Sequence, residues 1–290
     1  MKKNIVLTGA NGFVGQYLSE ELRKQNYNIV EITSKNGSIV DFNLQKNITK
    51  VDHVIHLAAK TFVPDSWNNP YNFYDTNIMG TANVLEFCRH TNSKLTFLST
   101  YIYGQPTKSY VDESHPINPN SPYNHSKVLA ESLCKFYSEN FNVPISILRP
   151  FNIYGPGQKT HFLIPEIIRQ CMDNSIDKIE VMDLKPKRDY LHVRDLVNAI
   201  SLTLQYNNSG LSIYNVGSGI SVSVEEIIKL VLKESCSIKS YSSKGQVRKN
   251  EVMDIKADIT KIKKDLKWEP TISLRQGIEE MLNAFNEKSL

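Results

Sequence analysis

The sequence predicts an α/β fold, a doubly wound parallel sheet with a smaller, interleaved C-terminal domain. Three observations point there. Short apolar runs alternate with helical apolar faces through residue 150, and such βα alternation builds a parallel sheet covered on both sides. Three glycines, Gly9, Gly12 and Gly15, stand between the first run and the first helical face. Beyond residue 156 the alternation becomes irregular, and no clean linker separates the halves.

The elements follow in order. Ile5-Val6-Leu7 reads as a buried strand, and Val14, Leu18 and Leu22 recur every four residues as one face of a helix. Gly9 lets the chain turn off the strand, because without a Cβ it adopts positive φ. Gly12 lets backbone N–H groups approach a pyrophosphate, and Gly15 lets the helix pack close to the sheet. The helix N-terminus offers free N–H groups to phosphate charge. Strand, glycine turn and helix together are the setting of a dinucleotide site on a Rossmann-type sheet.

Asn28–Thr33 reads as strand two. Ser38–Asp41 reads as strand three, followed by Phe42. Val51–Leu57 reads as strand four, ending at Ala58-Ala59. Ile78, Thr81, Leu85 and Cys88 give Asn77–His90 a helical face. Lys94–Ser99 reads as strand five. Pro122–Phe141 reads as a long helix with Val128, Leu129, Leu133 and Phe136 on its apolar side, and Val143–Arg149 as strand six.

In the second half, Leu163–Met172 reads as a helix and Lys178–Met182 as a strand. His192–Leu204 reads as a helix that returns to the first sheet, and Ile213–Val216 as a strand. Ser221–Leu232 and Leu274–Phe285 read as amphipathic helices. Ser235–Ala257 is a basic-biased, substrate-side segment. The division that follows is a dinucleotide-binding domain of residues 1–155 plus about 189–218, and a substrate domain of 156–188 plus 219–290.

The 290 residues are 40% apolar and 22% charged, a composition that suits a soluble globular protein with a sizeable core. A net charge of +4 is too mild and too evenly spread for a nucleic-acid binder, and suits an anionic small molecule. Cys88, Cys134, Cys171 and Cys236 lie far apart without metal-ligand spacing, which points to a reduced, cytoplasmic chain and no metal. The first apolar run breaks at Thr8-Gly9, too soon for a signal core or a membrane span.

Ligands of such sheets bind beyond the carboxyl ends of the strands. Leu57-Ala58-Ala59, Ser99-Thr100-Tyr101 and Pro150-Phe151-Asn152 converge there. Ala58 and Ala59 are small enough for a flat ring to lie against the backbone. Tyr123 and Lys127 stand four apart on a predicted helix, so both project from one face. They form the only Tyr-x-x-x-Lys among 14 tyrosines. A phenol titrates near pH ~10, and a neighbouring ammonium is expected to lower that value. Lys127 also suits a ribose hydroxyl. Ser99 suits a hydrogen bond to the substrate oxygen whose proton Tyr123 exchanges.

With these residues in view, the chain resembles the extended short-chain dehydrogenase/reductase family, in the branch that modifies nucleotide sugars. Thr8-Gly9-Ala10-Asn11-Gly12-Phe13-Val14-Gly15 is similar to its cofactor turn, and His56-Leu57-Ala58-Ala59 to its strand-four ending. Asn77, Gly80-Thr81 and Asn83 resemble its central helix, and Tyr123 with Lys127 its catalytic pair. Arg149 to Gly157 resembles the segment that flanks nicotinamide and reaches the sugar. Arg188 to Asp195 resembles a second-half signature whose arginine meets a nucleotide diphosphate. Asn215 to Gly219 and Leu266 to Pro270 also fit, and Arg248 lies where a second phosphate-binding arginine often stands.

The resemblance implies hydride transfer at sugar C4. Tyr123 would exchange the hydroxyl proton, Lys127 would tune it, and Ser99 or Thr100 would orient the oxygen; counting back from Tyr103-Gly104 favours Ser99. Gly9, Asn11, Gly12, Phe13, Val14, Gly15, Thr33, Ser34, Lys35, Asp41 and Phe42 would hold the cofactor. Leu57, Ala58, Ala59, Tyr123, Lys127, Pro150 and Ile153 would complete that site. Ser99, Tyr101, Tyr123, Asn152, Arg188 and Arg248 would hold the substrate.

Two departures refine this. Tyr101-Ile102 stand where dehydratases of the family carry Asp-Glu, which speaks against 4,6-dehydration. Strand two ends in Thr33-Ser34-Lys35, with Glu31 inside the strand, where an acid would hold a ribose 2′-hydroxyl. Ser34 and Lys35 instead suit a 2′-phosphate. The expectation is therefore NADP(H), with NAD(H) the alternative, and reduction of a 4-keto (6-deoxy) nucleotide sugar, with 4-epimerisation on tightly bound NAD the alternative. A non-catalytic cofactor sensor would not need Tyr123, Lys127 and Ser99 together. By analogy, a homodimer forms through Asn77–His90 and Pro122–Phe141.

Overall fold

The structure is a computed structural model that describes residues 2–41, 48, 50–207, 209–246 and 251–288. β1 (Asn4–Thr8) leads into α1 (Phe13–Lys24) and β2 (Asn28–Ile32). β3 (His53–His56) is followed by the short α2 (Val63–Asn68) and α3 (Pro70–Tyr74), a π turn over Asp75–Met79, and α4 (Gly80–Thr91). Then come β4 (Lys94–Leu98), β5 (Tyr110–Val111), α5 (Pro122–Phe141), β6 (Ile145–Pro150) and β7 (Asn152–Tyr154).

The later chain supplies α6 (Leu163–Met172), β8 (Lys178–Val181), β9 (Lys187–His192), α7 (Val193–Thr203) and β10 (Leu211–Val216). After these come β11 (Ser221–Ser223), α8 (Val224–Glu234), β12 (Ser240–Ser243), β13 (Asp254–Ala257), α9 (Thr260–Leu266) and α10 (Leu274–Lys288).

The main sheet is parallel throughout, in the order β10-β6-β4-β3-β1-β2. Its strand order reverses at β1, so a crevice opens between the carboxyl ends of β1 and β3. Successive strand residues face opposite sides. Ile5, Leu7, Ile55 and Leu148 pack beneath α1 and α7, with Leu18, Leu22, Leu196 and Ile200. Val6, Val54, Phe97, Ile145 and Ile147 pack on the other side against Val84, Leu85, Ala130 and Cys134 of α4 and α5. The helix expected at His192–Leu204 does return to this sheet, with His192 as its N-cap.

The expected third strand, Ser38–Asp41, is a turn. Asp41 N–H donates to Ser38 O at 3.1 Å, and Asn83 Nδ2 donates to Ile39 O at 2.8 Å. Those bonds occupy backbone groups that a strand would offer its neighbour. Ile39 is instead a plug on the first turn of α4, where a Cβ on Gly80 would lie 2.6 Å from Ile39 Cγ2. Among the described residues the sheet therefore has six strands and ends at β2.

A smaller sheet runs β11-β9-β13-β5, with β7 also paired to β9, and β12 pairs β8. Ile167, Ile168, Ile179, Ile227, Ile228 and Ile278 form a separate core there. The halves interleave in both directions. β5, from the first half, edges the small sheet. Ile262, Leu266 and Trp268, from the last stretch, pack in the core under the main sheet. Trp268 Nε1 donates to Asp195 O at 3.0 Å, and the Asp195 carboxylate accepts from Thr271 and Ile272.

Candidate active site

The glycine turn is built by close approach. Gly9 has φ +75°, and a Cβ there would lie 2.7 Å from Ala58 N. A Cβ on Gly15 would lie 2.2 Å from Gly9 O. Gly15 thus presses the first turn of α1 against the glycine turn itself, not only against the sheet. Gly12 has φ −75° and is the N-cap of α1, with no side chain capping the helix. Its lack of a side chain matters for access, not for φ. An anion is well matched to this uncapped helix start, bordered by Asn11, whose Nδ2 reaches Ser34 Oγ at 3.3 Å.

The end of β2 turns through a 3-10 segment capped by Thr33, and Ser34 and Lys35 are exposed there. Glu31 points away to Arg23, at 2.5 Å. Asp41 is exposed in the turn described above. Phe42 and Arg248 lie outside the described residues.

The floor beneath Leu57, Ala58 and Ala59 is a continuous polar chain. Thr8 Oγ1 meets His56 Nδ1 at 2.7 Å, and His56 Nε2 meets Thr81 Oγ1 at 3.2 Å. Thr81 donates to Asn77 O at 2.6 Å. Asn77 clamps Lys60 through both its N–H and its C=O, and donates to Ser126 Oγ at 2.9 Å. Ser126 donates to Tyr123 O at 2.7 Å. Asn77 sits in the π turn, a local widening that such side chains often need. Burial holds His56 neutral, with its pKa down to about 3. Sequence reading found His56, Asn77 and Thr81 but missed Ser126, which has no motif of its own.

Tyr123 and Lys127 both lie on the buried side of α5, behind a Ser121 N-cap and Pro122 at the first helical position. Phe73 packs edge-on against the Tyr123 ring, with centroids 6.4 Å apart. Lys127 Nζ donates to Leu98 O at 2.7 Å and lies 4.6 Å over the Phe97 ring. Burial brings its pKa down to about 8, against the opposing pull of Cys134 and Glu131. The expected lowering of the phenol is not seen: burial pushes Tyr123 up to about 12, against a hydrogen bond from Thr100 that lowers it. The ammonium is engaged by a carbonyl, so desolvation prevails.

The two candidate hydroxyls face different partners. Thr100 is half-buried, and its hydroxyl acts to lower the Tyr123 pKa. Ser99 is buried and donates to Glu131 Oε1 at 2.5 Å. Glu131 is in turn held by Arg149, through Nη2 to Oε2 at 2.6 Å and Nε to Oε1 at 3.0 Å. Glu131 escaped sequence reading, although its place eight residues after Tyr123 on the same helix was a usable signal.

Over the cleft, Tyr101 stacks on Phe151 at 5.0 Å, and its hydroxyl reaches Asn152 Oδ1 at 3.4 Å. Pro150 and Ile153 bracket these residues on β6 and β7. Arg188 is not free: its Nη2 pairs with Glu251, and Nη1 donates to Lys187 O at 2.8 Å. Asp189 beside it is fully buried and accepts from Ser218 N, Ser218 Oγ, Gly219 N and Ala257 N at 2.7–3.0 Å. That aspartate ties β9 to the loop after β10. Among the described residues no group of His, Cys, Asp or Glu is placed to hold a metal ion.

Comparison with known proteins places this geometry. The sequence profile of the NAD dependent epimerase/dehydratase family matches residues 5–217. GDP-6-deoxy-D-mannose reductase of Pseudomonas aeruginosa is 28% identical over 301 residues, covering 99% of both chains. The solved structure of MoeE5 in complex with UDP-glucuronic acid and NAD superposes with a TM-score of 0.92 at 26% identity, covering 99% of this chain and 100% of that one. UDP-glucose 4-epimerase of Thermotoga maritima, solved with UDP-glucose, gives a TM-score of 0.91 at 26% identity, with the same coverage.

Proposed function

The chain belongs to the NAD dependent epimerase/dehydratase family, and from that membership we propose a nucleotide-sugar oxidoreductase acting at sugar C4, which reduces a 4-keto (6-deoxy) nucleotide sugar. One observation carries the reading: Tyr123 and Lys127 lie together on the buried side of α5, with Lys127 Nζ bound to Leu98 O at the carboxyl end of β4. A bound nicotinamide cofactor supplies the hydride.

The chain's own residues supply position and protons. The glycine turn fits a diphosphate: Gly9 and Gly15 let it pack against Ala58 and against itself, and Gly12 leaves the start of α1 open. Ser34 and Lys35 at the β2 end favour NADP(H). Tyr123 donates its proton to the C4 oxygen as the carbonyl becomes an alcohol. Thr100 orients that oxygen; of the two hydroxyls the sequence offered, counting back from Tyr103-Gly104 favours Ser99. Lys127 has three donors. One is on Leu98 O, which leaves others for a ribose hydroxyl and for the phenolate. Asn152 and Tyr101 face the sugar, and a diphosphate competes with Glu251 for Arg188.

The second reading is 4-epimerisation on tightly held NAD, favoured by whole-chain similarity to an NAD complex and to a 4-epimerase. A panel of nucleotide sugars decides. Net oxidation of NADPH supports the reductase. Isomer interconversion with no added cofactor supports the epimerase. Tyr123→Phe should abolish either turnover and keep cofactor binding, whereas full function in that variant would mean a non-catalytic sensor.

We also infer a homodimer through α4 and α5, because Met79, Leu129, Phe136 and Phe141 are exposed there. Light scattering at the mass of one chain overturns it.

A further inference from the structure

Two consecutive residues at the end of β4 are held by two successive turns of α5. Leu98 O accepts from Lys127 Nζ at 2.7 Å. Ser99 Oγ donates to Glu131 Oε1 at 2.5 Å. Tyr123, Lys127 and Glu131 are four residues apart in turn, so they form one row along the helix. The strand end is thus registered against the helix by its backbone and by one side chain.

Glu131 is itself immobile. Arg149 Nε and Nη2 grip both of its oxygens, and the pair is almost completely buried, at 2% and 7% side-chain exposure. Arg149 Nη1 continues to Tyr103 Oη at 3.1 Å, and Tyr103 donates to Asn215 Oδ1 at 2.5 Å. The row is therefore pinned through β6 to β10, on the far edge of the sheet. A buried ion pair adds little net stability over an apolar replacement, which directs attention to what the carboxylate holds in place.

Resting on the oxidoreductase reading, we propose that Glu131 is a positioning residue: clamped by Arg149, it grips Ser99 so that the β4 end presents Thr100 to Tyr123 and the Leu98 carbonyl to Lys127. Its negative charge also acts on Lys127. The charged and titratable groups around that ammonium are Glu131 and Cys134 on α5, His56 on β3, Tyr123, and Arg149 on β6 behind Glu131. His56 is neutral and Cys134 is held as the thiol by burial. The Glu131 carboxylate is then the one negative charge in the set, and it keeps Lys127 more protonated than burial alone would allow.

The test uses the full chain and two variants, Ser99→Ala and Glu131→Gln. Ser99→Ala removes the grip and keeps the ion pair. It should lower kcat about tenfold with KM, dinucleotide binding and the pH profile unchanged. Glu131→Gln should move the pH titration of the Lys127 Cε resonance, assigned with Lys127→Met, down by about one unit. A merely structural role would not move that resonance.

If Glu131→Gln fails to fold, Glu131→Gln with Arg149→Met removes both buried charges, and the same downward shift is expected. Wild-type kcat in Ser99→Ala overturns the grip, and an unmoved Lys127 titration in the folded variant overturns the charge effect. A wild-type chain that turns over no nucleotide sugar refutes the oxidoreductase reading instead, and the resonance still decides for or against Glu131.

Discussion

Lys127 Nζ lies 2.7 Å from the Leu98 carbonyl oxygen, so the lysine proposed to act in catalysis is bound to the strand that leads into Ser99 and Thr100. The ammonium is buried and its pKa is lowered to about 8. A lysine whose folded pKa lies below its unfolded value costs stability below the folded pKa. That cost fades as pH rises from about 8 to ~10.4, because only the unfolded chain still binds the proton there. Lys127→Met should therefore melt higher than wild type at pH 7, while turnover falls at least a hundredfold. Melting curves at pH 7 and pH 10 check the sign: the gap between the two proteins narrows at the higher pH.

Acid acts through other groups. His53 and His56 are buried and neutral, each with its pKa near 3. Below pH ~6.5 the unfolded chain takes up protons that the folded chain refuses, so stability falls as pH drops. The slope is about 1.4 kcal/mol per pH unit for each histidine. His53 hydrogen-bonds Thr96 at 2.7 Å, far from the cleft. Urea titrations between pH 7 and 4 should show a shallower decline in His53→Gln; an identical slope refutes the assignment.

Gly15→Ala tests the turn. The new Cβ would fall 2.2 Å from Gly9 O, so backbone must move. Overpacking of this kind costs about 1–3 kcal/mol. The chain should stay folded, melt lower, and bind the dinucleotide at least tenfold more weakly by calorimetry. Wild-type affinity would place the cofactor elsewhere.

Lys35→Ala separates the cofactors. Lys35 is exposed beside Ser34 at the β2 end, where a 2′-phosphate would lie on the NADP(H) reading. KM for NADPH should rise about tenfold, with KM for NADH unchanged. Equal effects on both would remove the case for a phosphate contact.

Asp189→Asn tests the joint between the sheets. Both carboxylate oxygens accept two donors each, from Ser218, Gly219 and Ala257. An amide NH2 would face donors at either position. Replacement should cost about 3 kcal/mol, read as a shift in the urea midpoint. A loss under 0.5 kcal/mol would show that the loop rearranges freely.

Local patterns carried much of the fold. The apolar faces of α5 and α6 gave their exact limits, Pro122–Phe141 and Leu163–Met172, because caps and periodicity are local properties. Ser38–Asp41 misled for the same reason. Its β-branched Ile39-Val40 pair suits a strand, but Asn83 and Gly80, some forty residues on, hold it as a turn. Ser221–Leu232 likewise splits, because Ser223 caps a helix and the residues before it pair with β9.

The sequence alone determined the sheet's strands other than Ser38–Asp41, the glycine turn and the Tyr123/Lys127 row, since each is a pattern within a few residues. Tertiary structure decided what holds Ser99, what occupies Lys127, and that Glu131 belongs to the same row. Those outcomes depend on how far β4 slides against α5, and that register is set by contacts with β6 and β10 that no local pattern records.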